Sequence, residues 1–444
     1  MRHSVRLVAT CAVGVTLVAS SAVVAAGATT HRTVTPKGAP GITAKQVKVG
    51  AIVSETGPLK ADFAPYLDGV NAYFDYVNKL GGVFKRKLDL AYPLDDASNP
   101  DTNVKDAQTL VNADHAFAIV GVSTPFFTAA NYLGKKTITP TFGYSTGNVW
   151  GGPKNLFADY GSVLDYNSSV PFFAYTAKQT KSPKVAVIAL SYPSSKLECQ
   201  GAIAGLKKYK FKVSYSNINE AINANWQIEA GKIYNSGANM VVNCMDVNSD
   251  IALSKYLQGY YSANHLHPHP VQLWLDGYDR GILMNNAAAM INVYFLLQHV
   301  PFEAATVYPK AYPGLNLYFS QMVKYGYSGT EFDDVALAGW ESANLFTQGL
   351  RAAGKNPTQG AVNAAINRIR KDFGGPAGGV TAPVNWTQAH TRNTSPACET
   401  FVVTRGSKFV MAFHKGSKPW ICFPLSGTAN LSKPVAPPPG TPGA

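Results

Sequence analysis

Charge is scarce in this chain. Only 15% of its 444 residues are Asp, Glu, Lys or Arg, and acids are the rarer sign, 26 against 39 lysines and arginines. The formal charge is therefore +13 at pH 7, yet no long Lys/Arg run or nucleic-acid motif accompanies it. The densest basic stretch is KKYKFK, with Lys207, Lys208, Lys210 and Lys212 alternating with aromatics. That pattern suits a helix end running into an amphipathic strand, so no nucleic-acid partner is expected. Cysteine is rare too, five residues, none with the close pair spacing of a zinc site. No metal or cofactor is expected. Disorder is excluded by a hydrophobic content of 46%. The length exceeds one ordinary core, which predicts two domains or one large α/β unit.

Residues 1–28 have the pattern of an export signal. Arg2, His3 and Arg6 form a basic start, and Leu7 to Ala26 is apolar and uncharged. Ala26-Gly27-Ala28 offers a small-residue cleavage site, with Val24-Ala25-Ala26 as a rival. Uncleaved, the stretch is long enough to span a membrane; the small polar flank AGATTHRTV favours cleavage near Ala28. Lipid attachment at Cys11 is not expected, because Thr10 stands where a small Ala, Gly or Ser belongs. Export would place Cys199, Cys244, Cys398 and Cys422 in an oxidising compartment, where three pairings are open.

Residues 29–42 read as a Thr-, Pro- and Gly-rich linker, and 426–444 as an extended Pro-rich tail. Between them strands and helices alternate. VKVGAIV (47–53) is a continuous apolar run, as in a sheet covered on both faces. Phe63, Leu67, Val70, Phe74 and Val77 recur at helical spacing, and LGG (80–82) stops the helix. KLDLAYPL (87–94) is a second strand. Asn99-Pro100-Asp101 then offers an N-cap for a second helix. AFAIVGV (116–122) is a third strand, Ser123-Thr124-Pro125 a third helix start, and TITPTF (137–142) a fourth strand. The pattern restarts with KVAVIAL (184–190), FKVSY (211–215), NMVVNCM (239–245), VQLWLD (271–276) and NVYFLL (292–297), separated by helices near 195–208, 225–236 and 249–260. Two rounds of βαβ predict an α/β fold of two doubly wound parallel-sheet lobes.

CETFVVTRGSKFVMAFH (398–414) predicts a hairpin about Arg405-Gly406-Ser407, flanked by Cys398 and Cys422 as one cysteine pair. Cys199 and Cys244 follow neighbouring strands at one sheet edge and make the other. In open α/β sheets ligands bind beyond the carboxyl ends of the strands. Those ends carry Ser54-Glu55-Thr56, Ser123-Thr124, Gly143-Tyr144-Ser145, Ser191-Tyr192, Asp246 and Asp276-Gly277-Tyr278. Hydroxyls, aromatics and a few acids suit a small polar or zwitterionic molecule. Ser123 and Thr124, at a helix start, would favour its carboxylate.

From Val47 to about Phe413 the chain resembles the substrate-binding proteins of branched-chain amino-acid ABC transporters, the leucine/isoleucine/valine-binding type. TGPLKADFAPYLDGVNAYFDYVNKLGGVFKRKLDL, DDASNPDTNVKDAQTLV, AFAIVGVSTP and YGYSGTEFDDVALAGWESANLFTQGLRAAG carry the likeness. The resemblance implies a type I periplasmic-binding fold: two lobes, a cleft between them, and three crossovers. Lobe 1 would be 43–163 with 300–380, and lobe 2 would be 164–299 with 381–425. It implies a monomer that binds a small molecule and meets a membrane permease, and no catalysis. It places Asp62 or Phe63, Ser123, Thr124, Gly143, Tyr144, Ser145, Tyr192, Asp246 and Asp276 at the ligand, Asp276 as the ammonium clamp. PFF after Thr124, the bulk of Tyr144, and Asp276 in place of a longer glutamate depart from the family pattern and leave the ligand open between amino acids, amides and carboxylic acids.

Rival readings remain. Gly143-Tyr144-Ser145-Thr146-Gly147 matches a G-x-S-x-G nucleophile elbow, with His299 as an imaginable base. The elbow needs a helix straight after it, and NVWGGP starts one poorly. His265, His267 and His269 alternate in a Pro-containing loop, which reads as a solvated connection before it reads as a metal site. An extracellular sensor or partner-binding protein on the same fold is the third reading.

Overall fold

Apolar runs without polar alternation form the central strands. The computed structural model describes residues 38–159, 170–263, 268–326, 332–390, 397–424 and 428–444. The export signal, the linker up to residue 37, and His265 and His267 lie outside the described residues. Ala39–Ala444 forms one compact unit.

The first sheet uses β1 (Gln46–Val53), β2 (Lys87–Asp95), β3 (Ile119–Ser123), β4 (Thr141–Gly143) and β5 (Leu156–Ala158). Its order is β2-β1-β3-β4-β5, all parallel, with the winding reversed at β1. The fifth strand is a finding the sequence pattern did not announce. The fourth is shorter than TITPTF: Pro140 has no N–H, and pairing begins after it, at Thr141.

The connecting helices are α1 (Lys60–Phe63), α2 (Tyr66–Lys79), α3 (Pro100–Asn112) and α4 (Ala130–Lys136). The stripe beginning at Phe63 is therefore divided, with Pro65 as the N-cap of α2. Asn99 caps α3 as expected, its side chain accepting from the Asp101 and Thr102 N–H groups. The expected helix start at Ser123-Thr124-Pro125 is corrected: α4 begins at Ala130. Ser123 is instead buried at a strand end, and its hydroxyl donates to the Phe63 carbonyl at 2.9 Å.

The second set comprises α5 (Pro171–Gln179), β6 (Lys184–Leu190), α6 (Pro193–Lys208), β7 (Lys212–Glu220), α7 (Trp226–Ser236), β8 (Met240–Cys244), α8 (Val247–Ala263), β9 (Val271–Trp274), α9 (Arg280–Asn286) and β10 (Val293–Leu297). The chain then gives α10 (Phe302–Val307), α11 (Pro313–Lys324), α12 (Asp334–Ala353) and α13 (Gln359–Ile366), followed by β11 (Ala397–Arg405), β12 (Lys408–Ala412) and β13 (Ile421–Phe423). The second sheet runs β7-β6-β8-β9-β10-β11-β12, parallel through β10 and antiparallel beyond. The β11–β12 hairpin turns at Arg405 and Lys408, as the sequence predicts.

Helices α11, α12 and α13 return to the first sheet. α12 packs on α2, and the approach demands glycine on both sides. A Cβ on Gly69 would sit 1.7 Å from the Ala336 carbonyl oxygen, and one on Gly339 would sit 2.0 Å from that of Tyr66. Tyr73 donates to Asn344 Oδ1 at 2.9 Å across the same contact.

Disulfides join Cys199 to Cys244 and Cys398 to Cys422. The first ties α6 to the end of β8, and the second links facing residues of β11 and β13. The Pro-rich tail does not hang free. Val435 bonds back to the Cys422 carbonyl, Trp420 Nε1 donates to the Pro442 carbonyl at 2.7 Å, and Leu431 is buried.

Candidate functional site

Both sheets present the carboxyl ends of their strands to one cavity of about 150 Å³. On the scale where one water needs ~10–15 Å³, it holds on the order of ten small positions. The residues following β4, β6, β8, β9 and β10 line it: Tyr144 and Ser145, Tyr192, Met245 and Asp246, Leu275 and Asp276, Gln298 and His299. α1 contributes Asp62 and Phe63, α6 contributes Ser194, Ser195 and Glu198, α12 contributes Asp334, and β11 contributes Glu399.

Seven of the residues proposed from sequence thus meet: Asp62, Phe63, Tyr144, Ser145, Tyr192, Asp246 and Asp276. Five do not line the cavity. Ser54 donates to Asp96 Oδ1 at 2.7 Å, and its oxygen lies 3.3 Å from Thr124 Oγ1, so Ser54 and Thr124 are a buried bolt under the first sheet. Ser123 is tied to Phe63. The Glu55 backbone N–H bonds to Asp95 at 3.0 Å, and burial pushes its carboxyl up. Gly143 is packed, with room for no Cβ between the Val122 carbonyl and the Trp150 ring.

The wall is unusually acidic for so basic a chain. Six carboxyls line it, from Asp62, Asp246, Asp276, Asp334, Glu198 and Glu399; among the described residues no lysine or arginine does. Burial, with Asp246 and Asp334 nearby, pushes Asp62 up to about 7. Burial likewise lifts Asp334 to about 7. Asp276 keeps part of its surface open to the cavity but lies deep in the molecule; burial, then Asp62 and Glu198, push it well above the usual carboxylate range. Burial raises Asp246, opposed by bonds from Ser249 and Asn248. Glu399 is raised strongly by burial and then by Glu198. Burial holds His299 down at about 4, so it is neutral.

Contacts around the cavity join the two halves. Asp62 Oδ1 accepts the Val247 N–H, at the start of α8, at 3.1 Å. Phe126 packs edge-on against Tyr192 at 5.0 Å, and Leu197 of α6 packs with the core of the first sheet. The two sheets are therefore bridged beside the cavity, which stays partly open.

The nucleophile elbow does not form. After β4 the chain enters a single 3₁₀ turn, Asn148–Trp150, and the Ser145 N–H is engaged by Asp159 Oδ1 at 3.0 Å. Among the described residues no three His, Cys, Asp or Glu side chains converge to hold a metal ion. His269 stacks near Tyr261 instead.

Glu198, Asp334 and Glu399 were missed from sequence. Asp334 follows Asp333 at a helix start, where an acid normally serves the cap, and Asp333 does so. Glu399 was detectable as the lone acid of the strand ACETFVVTR.

Two doubly wound sheets facing a shared cavity define a two-lobed ligand-binding fold. The chain belongs to the periplasmic binding protein family, whose model matches residues 46–403. A fatty acid ABC transporter substrate-binding protein from Thermomonospora curvata aligns with a TM-score of 0.70 at 15% identity, covering 91% of this chain and 98% of that one. A solute-binding protein from R. palustris, in complex with 4-hydroxybenzoate, aligns at 0.68 and 14%, covering 83% and 96%. A leucine binding protein from Thermotoga maritima aligns at 0.65 and 12%, covering 82% and 97%. These structures share the type I fold. No curated protein matches the chain in sequence. Family membership implies an exported protein, and the two disulfides fit that compartment. Among the described residues no helix is long and apolar enough to cross a membrane.

Proposed function

We propose that the protein is the solute-binding component of an ABC importer. It closes on a small organic solute carrying an ammonium group and passes it to a membrane permease, with no covalent chemistry. The observation that carries this reading is the cavity lined from both sheets, with Asp62 bonding across to Val247. A solute that touches both walls stabilises the closed state by its extra contacts there. The names of the solved neighbours, which include ABC transporter solute-binding proteins, support the assignment. Lobe 1 is taken as 43–163 with 300–380 and lobe 2 as 164–299 with 381–425; the return of α11–α13 to the first sheet and the pairing of β10 with β11 support that division.

Asp276, with Asp62 and Asp246, would receive the ammonium. A carboxylate, if the solute has one, would meet the start of α6 at Ser194 and Ser195, since Ser123 is enclosed. A thermal-shift screen of residues 29–444 against amino acids, amines, amides and aromatic acids tests this. A ligand that binds only the folded state raises the melting temperature, by about 2.7 kcal/mol of stability at a hundredfold excess over Kd. No shift with any solute would overturn it. Capture of a permease by the ligand-bound form, absent for the free form, would separate importer from sensor.

A further inference from the structure

We propose that the solute is a small organic dication, with two separated protonated nitrogens. One is held by Asp62, Asp246, Asp276 and Asp334, and the other by Glu399 with His299. The inference rests on the cavity being the solute site, and it names the class of solute.

The wall holds acceptors that none of its own donors satisfies. Asp62 Oδ2, Asp246 Oδ2, Glu399 Oε2 and His299 Nε2 are buried polar atoms with no hydrogen-bond partner. All four residues line the cavity, at 8%, 7%, 2% and 1% exposure respectively. His299 Nδ1 lies 2.9 Å from the Val300 carbonyl, which can only accept. The proton is therefore on Nδ1, and Nε2 presents a lone pair. Buried polar groups are normally paired, so four orphaned acceptors in one cavity point to a missing donor-rich partner. No lysine or arginine stands on the wall among the described residues, so the carboxyls keep their protons, as burial favours, until a solute brings positive charge that lets them ionise.

Topology sorts these groups into two poles. Asp246 and Asp276 follow the adjacent strands β8 and β9, and Asp62 reaches Val247 beside Asp246. Glu399 lies on β11 and His299 just after the adjacent strand β10, where Thr400 Oγ1 donates to the His299 carbonyl at 2.6 Å. The poles are thus two strand spacings apart, on the order of 10 Å at the backbone. Side chains reaching inward shorten that to the span of a short alkyl chain. Phe63, Phe173, Leu275 and Leu296 give the same wall apolar surface, and Glu198 lies near enough to both Asp276 and Glu399 to raise each. Carboxyls spread around a cavity of about 150 Å³, with no metal-sized convergence, suit an extended organic cation better than an ion.

The experiment is calorimetry and thermal shift on the oxidised chain, residues 29–444, at pH 8. The probes are 1,4-diaminobutane, 1,5-diaminopentane, lysine, 1-butylamine, leucine and benzoate. At least one probe with two amines should bind, about tenfold or more tighter than 1-butylamine, and benzoate should not bind. Lysine against 1,5-diaminopentane reads whether a carboxylate is tolerated; binding of either satisfies the proposal. Glu399→Gln should cost the two-amine probe about tenfold while leaving 1-butylamine within about threefold. Asp276→Asn should weaken both. The ligand-free melting transition of each variant verifies folding. Tighter binding of leucine or benzoate than of any two-amine probe would overturn the dication while leaving a solute-binding protein. Equal losses of both amines in Glu399→Gln, or no amine binding, would overturn it too.

Discussion

Asp62 couples the structure to pH. Its Oδ1 holds the Val247 N–H at 3.1 Å, and its other oxygen faces the cavity unpaired. The groups around it are Asp246 before α8, Asp276 after β9 and Asp334 on α12, all acidic. Its carboxyl is pushed from 3.8 to about 7. The folded protein therefore keeps a proton that the unfolded chain releases near pH 4. Stability from this group is fully present below pH 4 and is lost as pH rises through 7. Each pH unit in that window removes about 1.4 kcal/mol, so the whole window removes on the order of 4 kcal/mol. Asp62→Asn keeps an oxygen for Val247 and abolishes the charge. The ligand-free variant should match the parent near pH 4 and exceed its stability by several kcal/mol at pH 8. Urea denaturation followed by tryptophan fluorescence from pH 4 to pH 8 measures both curves. Parallel curves would refute the linkage. A residual slope is expected in the variant, because Asp334 also lies at about 7. A cationic solute favours the ionised carboxyls, so its thermal shift on the parent should grow between pH 5.5 and 8, and less so on Asp62→Asn.

Other parts of the molecule answer to other assays. Gly339→Ala forces a methyl to within 2.0 Å of the Tyr66 carbonyl, so it should cost about 3 kcal/mol or prevent folding; soluble protein with an unchanged melting point would contradict the packing. The disulfides span 45 and 24 residues, which gives about 4 and about 3.5 kcal/mol from loop closure; urea midpoints with and without dithiothreitol should differ accordingly, the Cys199→Ser/Cys244→Ser pair showing the larger share. Removing residues 436–444 leaves the buried Trp420 N–H without the Pro442 carbonyl and uncovers Phe373, so calorimetry should register about 1–3 kcal/mol; no change would mean that the tail contributes nothing.

The fold was legible because its strands advertise themselves. IVGVS and MVVNC are buried end to end and apolar but for Ser123 and Asn243, the signature of sheets covered on both faces. Asn99 before Pro100 marked a helix start that the structure keeps. Three-residue strands carry no such pattern, and β5 and β13 owe their pairing to neighbours brought in by tertiary structure. Ser123-Thr124-Pro125 has the composition of a helix start, but the Ser123 hydroxyl is claimed by the Phe63 carbonyl, a partner 60 residues away that no local rule can see.

The site divides along the same physical line. Tyr144, Tyr192, Asp246 and Asp276 were legible because a strand end fixes where its next residue points, and the strands themselves were visible. Ser54 sits just as close to a strand end and still misses the cavity, since its hydroxyl is taken by Asp96 and Thr124. Asp334 and Glu399 come from elements that return after the first two βαβ rounds are complete, so only the three-dimensional path delivers them. They change the chemistry that the strand ends alone imply. Strand ends read by themselves gave hydroxyls and two or three acids, fit for a zwitterion. With Glu198 of α6 and the two acids of the returning elements, the wall becomes six carboxyls and no lysine or arginine among the described residues, in a chain whose formal charge is +13. A basic chain that gathers acids on the walls of this cavity sets the cavity's composition against that of the whole, and the proposed selection of solute by charge rests on that contrast.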